Sequence, residues 1–162
     1  MDINISESKR AQKARELFQK GCKCAQAVLI SFEDLHHMDS EMALKLSSSF
    51  SAGMGELGQT CGAVTGMFMV AGLLYGFSYP SSENEINEHL ERIKKLGKEF
   101  EAATGSILCV KHPLPSNCKD NEPCLETKKN TNCCQKIECD ELVGIATVIM
   151  ENYISKNPPI LS

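Results

Sequence analysis

Nine cysteines stand in this 162-residue chain, and one of them, Cys61, opens the run Cys61-Gly62-Ala63-Val64-Thr65-Gly66. Thiols at this density suggest three chemistries: disulfide exchange, metal ligation, or inert packing as small apolar side chains. A reducing compartment favours the first two over structural disulfides. An odd number of cysteines leaves at least one outside any internal disulfide scheme, which argues against a fully bridged secreted scaffold. The N-terminal run Met1 to Arg10 has an early acid and no apolar core, so no signal peptide is expected and the chain reads as cytoplasmic.

The spacing of the cysteines narrows the options. No Cys-x-x-Cys occurs, so neither a thioredoxin-like site nor a zinc ribbon is expected. Cys22-x-Cys24 and the adjacent Cys133-Cys134 are not zinc knuckles. A metal site would have to be assembled from distant segments. With no Cys-x-x-Cys-His, no covalently attached haem is expected. Three cysteines, Cys24, Cys61 and Cys139, fall at expected helix starts, where free amides and the helix dipole favour a thiolate. Cys61 is the strongest candidate: it follows a Gly-rich stretch, and Gly62 beside it leaves backbone open to a substrate or cofactor. Asp140 and Glu141 weaken the case for Cys139 unless they are ordinary first-turn acids.

Other motifs add little. His112 lies three residues after Cys109 and reads as a base, a ligand or, more simply, a surface residue. His36 and His37 suit a helix C-terminus. His89 is assigned no role. There is no Ser-His-Asp order with local support. The Gly53–Gly58 stretch lacks the lysine of a phosphate-binding loop. Apolar residues make up 42% and charged residues 23%, with a net charge of −4. No basic field is available to hold nucleic acid.

Helices must position these thiols. Apolar residues recur at three- and four-residue spacing over 7–19, 23–36, 83–103 and 139–155, and a short helix should follow Ser40. Ser6 or Ser8 can cap the first helix and Ser81 or Ser82 the long one. Residues 47–58, rich in Ser and Gly, read as a flexible loop. Residues 61–76 form an apolar helix with paired glycines, Gly62/Gly66 and Gly72/Gly76; tight packing is expected of the later pair. The uncharged stretch 61–82 could span a bilayer by length, but its glycines and polar residues point to a buried core helix. Residues 113–133 hold three prolines and no apolar period. The expected fold is therefore all-α: one domain, a bundle of about five to six helices, with a Cys-rich irregular segment before the last helix.

Taken together, the blocks Gly21–Leu29, Phe50–Gly66, Phe100–Cys109 and Cys139–Val143 resemble the C-GCAxxG-C-C family of redox-active proteins. The resemblance implies an all-helical domain with a redox role and places the family's cysteines at Cys24, Cys61, Cys109 and Cys139. Cys133 or Cys134 competes for the fourth place. Cys22, Cys118 and Cys124 lie outside the pattern. On this reading Cys61 is the reactive thiolate, a second matched cysteine resolves it, and electrons pass to a partner protein; Gly62 and Gly66 would face a cofactor. Two other readings stand beside it: the same four thiolates hold an iron–sulfur cluster or zinc, or the chain is a helical interaction module with inert cysteines. The amphipathic helices and glycine faces suggest a homodimer.

Overall fold

The computed structural model describes residues 3–109 and 137–159. The expected irregular segment 113–133, with Cys118, Cys124, Cys133 and Cys134, and His112 as well, lies outside them.

The first helix, α1 (Lys9–Gln19), starts where Ser8 Oγ accepts the Ala11 amide at 2.9 Å. The expected second helix is two. α2 (Cys24–Ile30) ends as Ser31 Oγ donates back to the Val28 carbonyl at 2.7 Å, and α3 (Glu33–His36) resumes after Phe32. A serine hydroxyl that bonds its own backbone competes with the helix ladder. The guanidinium of Arg10 stacks over the Phe32 ring at 4.7 Å and binds Asp34 through both carboxylate oxygens, so α1 secures this break. α4 (Ser40–Ser48) is capped by Asp39, whose carboxylate accepts the Met42 amide.

The stretch expected to be a flexible loop is instead built. The turn α5 (Ser51–Gly55) has left-handed backbone at Ala52, Gly53 and Met54, and φ stays positive at Gly55 and Glu56. Glu56 N–H donates to the Ala52 carbonyl at 3.1 Å, closing one turn of left-handed helix. The apolar helix follows as α6 (Gly62–Tyr75), then α7 (Glu83–Thr104) and α8 (Cys139–Lys156). Ser82 caps α7 reciprocally with Glu85, and Gly105 at φ +85° ends it. The all-α expectation holds: among the described residues there are seven right-handed helices, the left-handed turn, and no strand beyond a single antiparallel bridge between Thr60 and Leu108.

The core sits where α2, α6 and α8 meet. Val28, Leu29, Val64, Met67, Leu142, Val143 and Ile149 are buried there, and Phe100 of α7 closes one side. α1 packs along α8, fastened by Arg15 to Asp140 at 2.7 Å and by Ser8 Oγ to Glu151 at 2.6 Å. No helix of the described residues is long and apolar enough to cross a membrane. α6 rises only about 21 Å over its 14 residues, short of a bilayer core.

Close approach by another helix belongs to the earlier pair, whereas in the later pair Gly76 lies against the Gly72 carbonyl of its own helix. A Cβ on Gly66 would lie 2.7 Å from the Ala25 carbonyl oxygen and 2.9 Å from Val28 Cβ, so α2 and α6 touch backbone to backbone here. A Cβ on Gly72 would meet nothing within 4 Å. Gly66→Ala should therefore cost about 1–3 kcal/mol through overpacking. Gly72→Ala should gain about 0.5–1 kcal/mol through helix propensity. Chemical denaturation of the two variants beside the wild type checks the pair; equal effects would refute the packing assignment.

Candidate functional site

Four turns of the chain deliver four sulfurs to one place. Cys24 is the first residue of α2, Cys61 the cap of α6, and Cys139 the first residue of α8. Cys109 follows α7 on the short extended stretch that bridges back to Thr60. All four line one cavity of about 220 Å³, with Phe18, Lys23, Ala52 and Leu142 completing its wall. Apart from the sulfurs and the exposed Lys23, that wall is apolar.

Local structure explains each placement. The close crossing at Gly66 brings the start of α2 onto the start of α6. A Cβ on Gly62 would collide with Cys24 Sγ, so a glycine next to Cys61 is what lets the Cys24 sulfur rest against α6. Gly62 and Gly66 thus face α2, where the sequence reading had them facing a cofactor. Cys61 is held by its own amide, which donates to the Ile107 carbonyl at 2.7 Å, and Cys109 by its amide to the Gln59 carbonyl at 2.8 Å. These two bonds fasten residues 59–61 to 107–109 and carry Cys109 to the cavity. Cys139 is set by α8, whose start is pinned to α1 through Asp140. The Asp140 carboxyl, beside the Arg15 guanidinium, is held below the usual carboxylate range. Its charge is therefore spent on α1, and it serves as a first-turn acid that fastens two helices. Cys22 is half-buried and packs against the core.

The electrostatics of Cys61 depart from expectation. The backbone amides of Ala63 and Val64 at the helix start do favour the charged form. Burial outweighs them. At 4% exposed, the Cys61 thiol is pushed from an ordinary value of 9.0 up to about 12, chiefly by desolvation, with Cys24 and Cys109 pushing the same way. Cys61 is a neutral thiol at physiological pH and not the ready thiolate that its helix position suggested. Cys24 is half-buried and more accessible, and its sulfur accepts the backbone N–H of Ala52 at 3.4 Å.

That N–H belongs to the left-handed turn. Ala52, Met54 and Glu56 each adopt positive φ without being glycine, a strain of about 1–2 kcal/mol per residue. Such strain concentrates at functional sites. The turn also begins with Ser51, whose buried hydroxyl has no hydrogen-bond partner among the described residues. The sequence reading missed Ala52, Phe18, Lys23 and Leu142 as wall residues. The alternation of Gly53, Gly55 and Gly58 was the available signal for the turn. Among the described residues, no three His, Cys, Asp or Glu side chains are arranged as they would be to hold a metal ion.

The chain belongs to the family described as "Putative redox-active protein (C_GCAxxG_C_C)", whose model matches residues 22–153. The matched span takes in all four cavity cysteines. No curated protein and no solved structure matches the chain.

The raised Cys61 pKa fixes a pH dependence. Between about pH 9 and 12 the unfolded chain loses the Cys61 proton while the folded protein keeps it. The unfolded state then binds fewer protons, so stability falls as pH rises through that window and is unaffected below it. With a phosphine reductant present, the wild type should lose more stability than Cys61→Ala between pH 8.5 and 10.5. Parallel pH profiles for the two proteins would contradict the buried-thiol assignment.

Proposed function

We propose that the protein is a cytoplasmic thiol redox protein that exchanges disulfides through the pair Cys24 and Cys61. The observation that carries this reading is the convergence of four cysteines, separated along the sequence, on one apolar cavity. Helical packing alone has no need to gather sulfurs. Exposure orders this pair, with Cys24 half-buried and Cys61 buried, while Cys139 is exposed. Cys24, reachable from the cavity mouth, attacks one sulfur of a partner's disulfide, and the other partner sulfur leaves as a thiolate. Cys61, buried behind it, then attacks Cys24 Sγ and displaces the second partner sulfur. The two leaving thiolates take up the two protons that Cys24 and Cys61 give up. Two electrons pass to the partner, which becomes a dithiol, and the protein keeps a Cys24–Cys61 disulfide. The same steps run backwards when a reduced partner meets the oxidised protein.

This assignment reverses the roles read from sequence, where Cys61 attacked. A neutral thiol near pKa 12 is a poor first nucleophile but is protected from casual oxidation. It becomes useful once Cys24 is bonded to a partner, because the attack is then intramolecular and proximity replaces intrinsic reactivity. Cys109 and Cys139 set two more sulfurs on the same cavity.

The rival reading, an iron–sulfur cluster or zinc on Cys24, Cys61, Cys109 and Cys139, uses the same lining but requires the sulfurs to close on one centre. For a homodimer, the other expectation, the exposed apolar side chains are spread over Met42, Leu46, Leu57, Leu73, Phe77 and Leu90.

Oxidised glutathione tests the exchange. Wild-type protein should release two glutathiones per chain and gain a Cys24–Cys61 bond by peptide mapping. Cys61→Ser should stop at a mixed disulfide on Cys24, and Cys24→Ser should form neither. Stoichiometric metal or acid-labile sulfide in anaerobically purified protein, with all four cysteines protected from alkylation, would replace this reading with the metal one.

A further inference from the structure

The left-handed turn meets two of the four cavity cysteines, Cys24 and Cys109. Ala52 N–H donates to Cys24 Sγ. Gly53 lies so close to Cys109 that a Cβ there would come within 2.6 Å of Cys109 Cβ, and its own φ of +72° favours glycine. The Gly53 carbonyl accepts the Gln59 amide at 3.1 Å, and Gln59 in turn accepts the Cys109 amide two residues ahead of Cys61. Thr65 Oγ1 of α6 donates to the Phe50 carbonyl at 3.2 Å, fixing the entry to the turn. A right-handed turn of the same residues would aim the Ala52 amide elsewhere. The positive φ values and the orphan Ser51 hydroxyl are two separate costs in one short segment. Both are retained where the segment meets Cys24.

From this we infer that Ala52 and Gly53 are positioning residues that set the redox equilibrium of the site: Ala52 through its backbone N–H on Cys24 Sγ, and Gly53 by seating the turn against Cys109. The inference rests on the Cys24–Cys61 exchange reading. A reduced cysteine sulfur is a better hydrogen-bond acceptor than a disulfide sulfur. The Ala52 N–H therefore stabilises the reduced form and makes the Cys24–Cys61 disulfide the stronger oxidant, as stabilising the reduced form does in other dithiol proteins. Neither residue touches substrate through its side chain; each acts through a cysteine.

The clean test removes the N–H alone. In semisynthetic full-length protein, residue 52 is replaced by lactic acid, which changes the amide to an ester and keeps the methyl group. Equilibration in glutathione redox buffers, read by peptide mapping, should show the Cys24–Cys61 disulfide favoured about tenfold more than in wild type, a potential about 30 mV lower. Gly53→Ala should shift the equilibrium in the same direction as the ester while retaining wild-type helicity by circular dichroism. If Gly53→Ala fails to fold, the ester decides alone. An ester protein within twofold of wild type overturns the inference even though disulfide exchange proceeds. If wild-type protein forms no Cys24–Cys61 bond in any buffer, the exchange reading falls. The positioning role is then decided by iodoacetamide: alkylation of Cys24 about tenfold slower in the ester protein upholds it, and equal rates reject it.

Discussion

The crossing of α2 over α6 at Gly66 is the contact on which the site depends. Helices with ordinary side chains at a crossing keep their axes 8–10 Å apart. A glycine here lets the Ala25 backbone come within van der Waals contact of α6, and one turn earlier Gly62 makes room for a sulfur. Without that approach, Cys24 and Cys61 would sit on neighbouring helices with a layer of side chains between them. The remaining elements then have simpler tasks. α8 packs against both helices and brings Cys139. The bridge from Thr60 to Leu108 returns the end of α7 and brings Cys109.

Two opposing effects meet at Cys61, and magnitude decides between them. A helix start offers an anion the dipole and two free amides, worth roughly 0.3–2 kcal/mol. Full burial of a charge without a counter-ion costs several times as much. The thiol therefore stays protonated even though the amides of Ala63 and Val64 favour its charged form. A cap position favours a thiolate only where the sulfur keeps some contact with water. The buried Cys61 does not meet that condition.

Much of this fold could be read from the sequence because it follows from period and punctuation. Apolar spacing located α1, α6, α7 and α8 to within a few residues. Ser8, Ser82 and Gly105 marked their ends as capping chemistry requires. The convergence of Cys24, Cys61, Cys109 and Cys139 was legible only through the family's cysteine pattern. No periodicity predicts which helix ends meet. Three things stayed hidden for three reasons. The break at Ser31 is a local competition between a hydroxyl and the ladder. The tight glycine pair is chosen by where α2 lands, so Gly72 has the same spacing as Gly66 and no partner. The burial of Cys61 is a tertiary property, and it reversed the reactivity that its position along the helix implied.

The turn at residues 51–56 carries the argument furthest. Glycine clusters read as flexibility because glycine lowers the cost of many conformations at once. Here Gly53 and Gly55 serve one conformation, and they carry Ala52, Met54 and Glu56 into left-handed space with them. A loop free to relax would not hold three non-glycine residues there. The neighbours that hold it are the parts of the site itself: the Cys24 sulfur on the Ala52 amide, the Cys109 side chain on Gly53, and Thr65 on the Phe50 carbonyl. The strained turn and the placing of Cys24 and Cys109 therefore rest on the same contacts.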